Sequence, residues 1–342
     1  MNRFVIVAVL LCLGIAGQAF GQTRDIYTIR DIAVEEQAST VIEAQQRAFV
    51  SARIKGAYEM IERLTLAEDL GGKLEAGAIT PEIANRLAAA VDVEQETRGG
   101  GRYVGKLAIV YNPVNVRRFL DERGIPYIDQ PAPQAVIFPV SDRFPASVWA
   151  EAWPDSSVGR LAGYTVSRTP LASTQSEWFD LETDVNAANA RRGVKAVLDG
   201  SRGAFRVDLV SVTAAGETPL GSTGTVPTLE QAVDAASDLL DQNWKRQSIV
   251  RSEERTPARS TVFFTSLVEW NSLRSAMARS PLVEDFVIEG LSKTGAVVAF
   301  VYAGDEQRLT SNLRERGVML DTDPSGWVMT TAVSRGANLG VE

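Results

Sequence analysis

Asp180, Glu182 and Asp184 alternate along the chain and, on an extended backbone, would present their carboxylates on one face. Such a set can hold a hard cation through oxygen ligands, or divide into a general acid and a general base. The same residues suit the start of a helix, whose positive end attracts acids, with Asp184 as its N-cap. Helix starts use this pattern far more often than paired-carboxylate sites, and that is the expectation here. A second oxygen-rich run, Asp321-Thr322-Asp323-Pro324-Ser325-Gly326, matches the first half of a calcium loop. The position reserved for its bidentate glutamate holds Ala332, so a β-turn between two strands is the simpler reading. Gly99-Gly100-Gly101 invites a phosphate loop, yet a strand should follow it and no Gly-Lys-Ser/Thr closes it; a flexible hairpin is expected.

The chain contains no histidine, and its one cysteine, Cys12, lies in the apolar N-terminal run. Serine–histidine–aspartate chemistry, cysteine nucleophiles and histidine-ligated zinc are therefore excluded by composition. Carboxylate-only hydrolysis and Ser–Lys chemistry survive in principle, but no lysine stands in a Ser-x-x-Lys motif. No catalytic, cofactor-binding or metal residue is assigned. Trp149, Trp153 and Trp178 fall in the least regular part of the chain and form the candidate interaction site. Exposed, they would offer a sugar platform or a partner hot spot; buried, they are core, the usual fate of tryptophan. With 35 basic against 43 acidic residues the formal net charge is −8, which argues against nucleic acid or an anionic membrane surface as partner. The doublets Arg117-Arg118 and Arg191-Arg192 are assigned to solvated helix faces.

The first 21 residues read as a secretory signal: Arg3, an apolar stretch from Phe4 to Ala16, then small residues in Ala19-Phe20-Gly21, with cleavage before Gln22. That apolar run is shorter than the roughly 20 residues a membrane span needs. Cys12 follows Leu10-Leu11 rather than a small residue at the cleavage point, so lipid attachment is not expected. No other apolar segment is long enough to span a bilayer, and the mature protein is expected to be soluble, without a transmembrane segment.

A chain of this length is too long for one core. The elements predict an α/β (α+β) protein of three small sheet-plus-helix domains: 22–130, 131–250 and a ferredoxin-like 259–333, followed by a loose tail, 334–342. One pattern recurs in all three, a helix ending in basic residues, then glycine, then a strand: D-E-R-G-I to Ile125, N-A-R-R-G-V to Val194 and R-E-R-G-V to Val318. Gly124, Gly193 and Gly317 are placed to take the left-handed conformation that closes a helix, and the arginines suit the negative end of its dipole. Capping boxes at Thr40/Glu43, Thr228/Gln231 and Ser266/Glu269 mark helix starts, and Thr80-Pro81 opens a shorter helix. Pro126, Pro131 and Pro133 read as a linker, and the charged run from Arg251 to Arg259 as the boundary of the third unit, whose first strand is expected at Thr261 to Thr265.

Y-T-I-R-D-I-A-V from Tyr27, the helix ending I-E-R-L-T at Thr65, R-Y-V-G-K-L-A-I-V-Y-N from Arg102 and F-L-D-E-R-G-I together resemble the exported bacterial family catalogued as domain of unknown function 2066. F-F-T-S-L-V-E-W-N-S-L from Phe263 and V-Y-A-G-D-E-Q-R-L from Val301 are similar to the carboxy-terminal part of its longer members. The resemblance implies a Gram-negative source and a periplasmic setting, and supplies no activity. The expected function is a non-enzymatic binding or scaffold protein with an envelope protein as partner. The alternatives are a glycan or small-ligand binding protein using the tryptophans, and a carboxylate-only hydrolase.

Overall fold

A computed structural model describes residues 25–169, 172–251, 255–323 and 326–339. The expected signal at residues 1–21, residues 324–325 of the run considered for calcium and residues 340–342 of the expected tail lie outside the described residues. The chain divides into two compact units, one of residues 1–131 with 158–161, the other of 132–157 with 162–342. The expected α/β architecture is present, with helices packed on three separate sheets. Among the described residues no helix is long and apolar enough to cross a membrane.

In the first unit β1 (Thr28–Gln37) leads to α1 (Val41–Leu64), then short α2 (Ala67–Leu70) and α3 (Pro81–Leu87), strands β2 (Ala88–Gly99) and β3 (Arg102–Tyr111), and α4 (Pro113–Asp121). The sheet is antiparallel in the order β1-β3-β2. Glu43 N–H donates to Thr40 Oγ1, which starts α1 where the capping pattern placed it. The buried face of α1 is mostly small (Ala44, Ala48, Ala52, Gly56, Ala57), so its backbone lies close to the sheet. Gly56 requires that closeness: a Cβ there would stand 2.6 Å from Tyr111 Oη and 2.7 Å from Ile32 Cδ1. Gly100 and Gly101 adopt positive φ in the β2–β3 hairpin, so the triple glycine turns between strands.

The second unit begins with β4 (Ala135–Val140), α5 (Ala146–Ala152), β5 (Tyr164–Val166), α6 (Trp178–Ala187), β6 (Arg192–Ser201), β7 (Ala204–Thr213), β8 (Gly216–Ser222) and α7 (Leu229–Ser248). Its sheet runs β5-β4-β6-β7-β8, parallel among the first three and antiparallel beyond. Every residue of β4 is buried, as its unbroken apolar sequence requires of a central parallel strand.

The rest of this unit holds β9 (Arg255–Phe263), α8 (Leu267–Ala278), β10 (Val283–Leu291), β11 (Gly295–Ala303), α9 (Glu306–Arg314), β12 (Met319–Asp323), β13 (Gly326–Thr330) and α10 (Ala332–Leu339). The strand order is β10-β11-β9-β13-β12. A ferredoxin-like sheet is antiparallel throughout; here the place beside β9 is taken by β13, the second arm of the terminal hairpin, which runs parallel to β9. Strand β9 starts at Arg255, six residues before the expected Thr261, so the charged run is partly strand. Residues 334–339 are not a loose tail but continue α10. Thr331 Oγ1 accepts from Val333 N–H and Ser334 N–H, which satisfies free amides of its first turn.

Candidate functional site

Gly124 and Gly317 close their helices with φ of 57° and 80°. Gly193 does not: Asn189 takes the left-handed conformation (φ 52°), and Gly193 already lies in β6. A Cβ on Gly193 would stand 2.9 Å from the Phe138 ring, so the glycine serves sheet packing. Ending the helix earlier moves Arg192 off any solvated face and into the interior, where it is 3 % exposed. Its Nη1 donates to Glu315 Oε1 at 2.7 Å, and Arg191 Nη2 beside it donates to Ser272 Oγ at 2.7 Å. Arg308 also donates to the carbonyls of Arg246 and Ile249, and the Arg316 guanidinium sits 5.4 Å from the Trp244 ring. These contacts join the two sheets of the second unit along one seam.

Along that seam opens a cleft of about 420 Å³. Its walls come from α6 (Trp178, Asn186), the β7–β8 turn (Ala214, Ala215), the first turns of α8 (Val268, Ser272), the end of α9 and the residues after it (Arg314, Arg316), and the start of α10 (Val333). Trp178 and Asn186 are two helical turns apart and share a face of α6. Lys195 fixes where that helix begins: buried on β6, its Nζ donates to Thr174 O, Ser176 O and Glu217 Oε1, gripping the backbone ahead of Trp178. Leu267, Val268 and Val333 are apolar yet strongly exposed, Val268 at 81 %.

Among the described residues Glu269 is the one carboxylate on the cleft wall. Its Oε2 accepts from Thr265 N–H (2.7 Å) and Thr265 Oγ1 (2.8 Å), and its Oε1 accepts from Thr331 Oγ1. The side chain thus reaches Thr265 N–H rather than closing the reciprocal box on Ser266, and it clasps the start of α8 to the start of α10. Burial alone would raise its carboxyl, but the hydrogen bonds from Thr265, Thr331 and Ser334 outweigh it and hold the group below the usual glutamate range. These bonds make the carboxylate a structural clasp between the two helix starts.

The three tryptophans do not assemble as one surface. Trp149 and Trp153 are 0 % and 1 % exposed, packed edge to face at 5.3 Å, with Trp149 Nε1 donating to Ala196 O. They are core, and their burial removes them from the candidate interaction site; Trp178 alone reaches the cleft. Asp180, Glu182 and Asp184 lie inside α6, at its third, fifth and seventh positions. Asp184 is not the N-cap: its Oδ2 accepts from Ser167 Oγ at 2.5 Å and Thr169 Oγ1 at 2.6 Å, while Asp180 Oδ2 accepts from Glu177 N–H at the helix start. Helical spacing turns Glu182 about 200° away from both aspartates, so the three carboxylates do not share one face, although Asp180 and Asp184, four residues apart, do. Among the described residues no three acidic side chains converge as a metal-holding group.

Sequence reasoning missed the cleft, because its walls come from segments more than 150 residues apart in sequence. The recurring Arg-Gly pattern was the available signal: its second and third copies supply Arg191, Arg314 and Arg316 to the cleft. No protein-family model matches the chain, and no curated protein matches it at a significant level.

Proposed function

We propose that this chain is a non-enzymatic binding protein of the bacterial cell envelope that organises a partner protein through the cleft of its second unit. The observation that carries this reading is a concave, largely apolar surface lined in part by solvent-exposed Val268 and Val333. Exposed apolar residues gathered around a cleft are the common mark of a recognition surface. The chemistry around it is that of holding: Glu269 is spent on hydrogen bonds, and with no histidine in the chain there is no side chain whose ordinary titration range lies near neutral pH.

The periplasmic setting rests on the signal-like pattern of residues 1–21 and on the resemblance to the exported family of domain of unknown function 2066. Amino-terminal sequencing of the protein from a periplasmic extract tests it: a start at Gln22 supports export and cleavage, and an intact Met1 in the cytoplasm opposes them. Crosslinking a tagged copy in cells, followed by mass spectrometry of the adducts, tests the binding role. One recurrent envelope protein, lost on Trp178→Ala, supports it; a monomer with nothing attached contradicts it.

A further inference from the structure

We propose that the cleft takes a short peptide segment of its partner in which an apolar side chain is flanked by aspartate or glutamate; this rests on reading the chain as a binding protein. Three arginines, Arg191, Arg314 and Arg316, line the cleft, and among the described residues none of them makes an ion pair. Arg191 donates to the neutral Ser272 hydroxyl and Arg316 Nε to Asn312 Oδ1, while the exposed Arg314 side chain has no polar contact among the described residues. Of the neighbouring carboxylates, Glu315 gives its Oε1 to Arg192, and Glu269 is held by Thr265 and Thr331. A chain whose formal charge is −8 thus gathers, among the described residues, three arginines against one lining carboxylate, Glu269, around an apolar surface.

Burial pulls the Arg316 guanidinium down to about 10, the largest effect, with Glu315 pushing back. It remains cationic at neutral pH, and an incoming carboxylate would restore what burial removes. Trp178 with these arginines is also the composition of protein–protein hot spots, where tryptophan and arginine are enriched. A nucleic-acid phosphate backbone is disfavoured by the net negative charge of the rest of the chain. The cleft thus carries apolar and cationic side chains side by side, which a peptide alternating apolar and acidic side chains matches.

The test is selection of displayed random peptides of about seven residues on the immobilised mature chain, run beside an Arg191→Glu/Arg314→Glu variant. Both side chains are exposed, and a retained circular-dichroism spectrum confirms folding; Arg314→Gln, which keeps a long polar side chain at an exposed position, serves if the double variant does not fold. Enriched sequences should pair an apolar residue with Asp or Glu. In fluorescence anisotropy the best of them should weaken about ten-fold when its acids become amides, and about ten-fold on the variant. Enrichment without acids, affinity indifferent to the charge reversal, or binding of decanoate with no peptide enriched would overturn the proposal. The in-cell adduct that tests the binding role is scored whatever the ligand's charge, so the two can fail separately.

Discussion

Arg192 and Glu315, 123 residues apart, form a buried ion pair with Arg192 Nη1 2.7 Å from Glu315 Oε1. Each belongs to a copy of the same Arg-Gly segment, N-A-R-R-G-V and R-E-R-G-V, so the second and third copies meet face to face across the seam. The pair is incompletely satisfied: among the described residues Arg192 Nε and Glu315 Oε2 have no hydrogen-bond partner. A buried pair of this kind contributes little net stability, because desolvation offsets the attraction, but breaking it strands a charge. Glu315→Ala should therefore destabilise the second unit by about 3–5 kcal/mol, while Arg192→Met with Glu315→Leu should recover most of the loss. Urea unfolding of these variants beside the natural chain checks this, and equal losses for the single and double replacements would oppose it.

Glu269 sets an acid limit on the second unit. Its carboxyl is depressed in the folded protein, so the folded state binds its proton less readily than the unfolded state. The stabilisation is complete above the unfolded value, about 4.3, and is lost as pH falls through the lower folded value. The stability gap between the natural chain and Glu269→Gln should hold from about pH 7 to about pH 5 and then narrow steadily toward about pH 3. Urea midpoints at a series of pH values measure the gap; one that does not change with pH removes the clasp.

Gly56 sets how closely α1 approaches its sheet. Gly56→Ala should gain up to about 1 kcal/mol of helix propensity yet lose more by driving a methyl into Tyr111 and Ile32. The expected net loss is about 1–2 kcal/mol. Tyr111 Oη is the nearest atom and donates to Arg53 O, so Tyr111→Phe should be tolerated better in the Gly56→Ala background than in the natural chain. Thermal melts of the single and double variants decide it.

The tryptophans should separate by role. Trp149→Ala empties a fully buried site and should cost about 3–5 kcal/mol. Trp178→Ala, at a half-buried wall of the cleft, should cost about 1 kcal/mol and leave the fold intact while weakening partner capture. Matching losses of stability in the two variants would make Trp178 core as well.

The local elements were legible because their causes are local. Thr40, Thr228 and Ser266 each accept from the backbone N–H three residues on, and Gly124 and Gly317 take the left-handed conformation their helix ends require. The same grammar failed at Gly193, since Asn189 also tolerates positive φ and closed the helix earlier. That early stop sends Arg192 inward, so a doublet that reads as solvent-facing becomes half of a buried pair. The parallel seat of β13 beside β9 and the cleft between distant segments both depend on tertiary packing, which no short window of sequence encodes. The burial of Trp149 and Trp153 followed the ordinary habit of tryptophan rather than any motif around them.

The most direct measurement places a photocrosslinking amino acid at Val268, on the cleft rim, and in a parallel strain at Val93, an exposed position of β2 in the first unit. The account predicts one discrete envelope-protein adduct from Val268 after irradiation of living cells, and none from Val93. An adduct from Val93 with none from Val268 would contradict the cleft as the recognition surface.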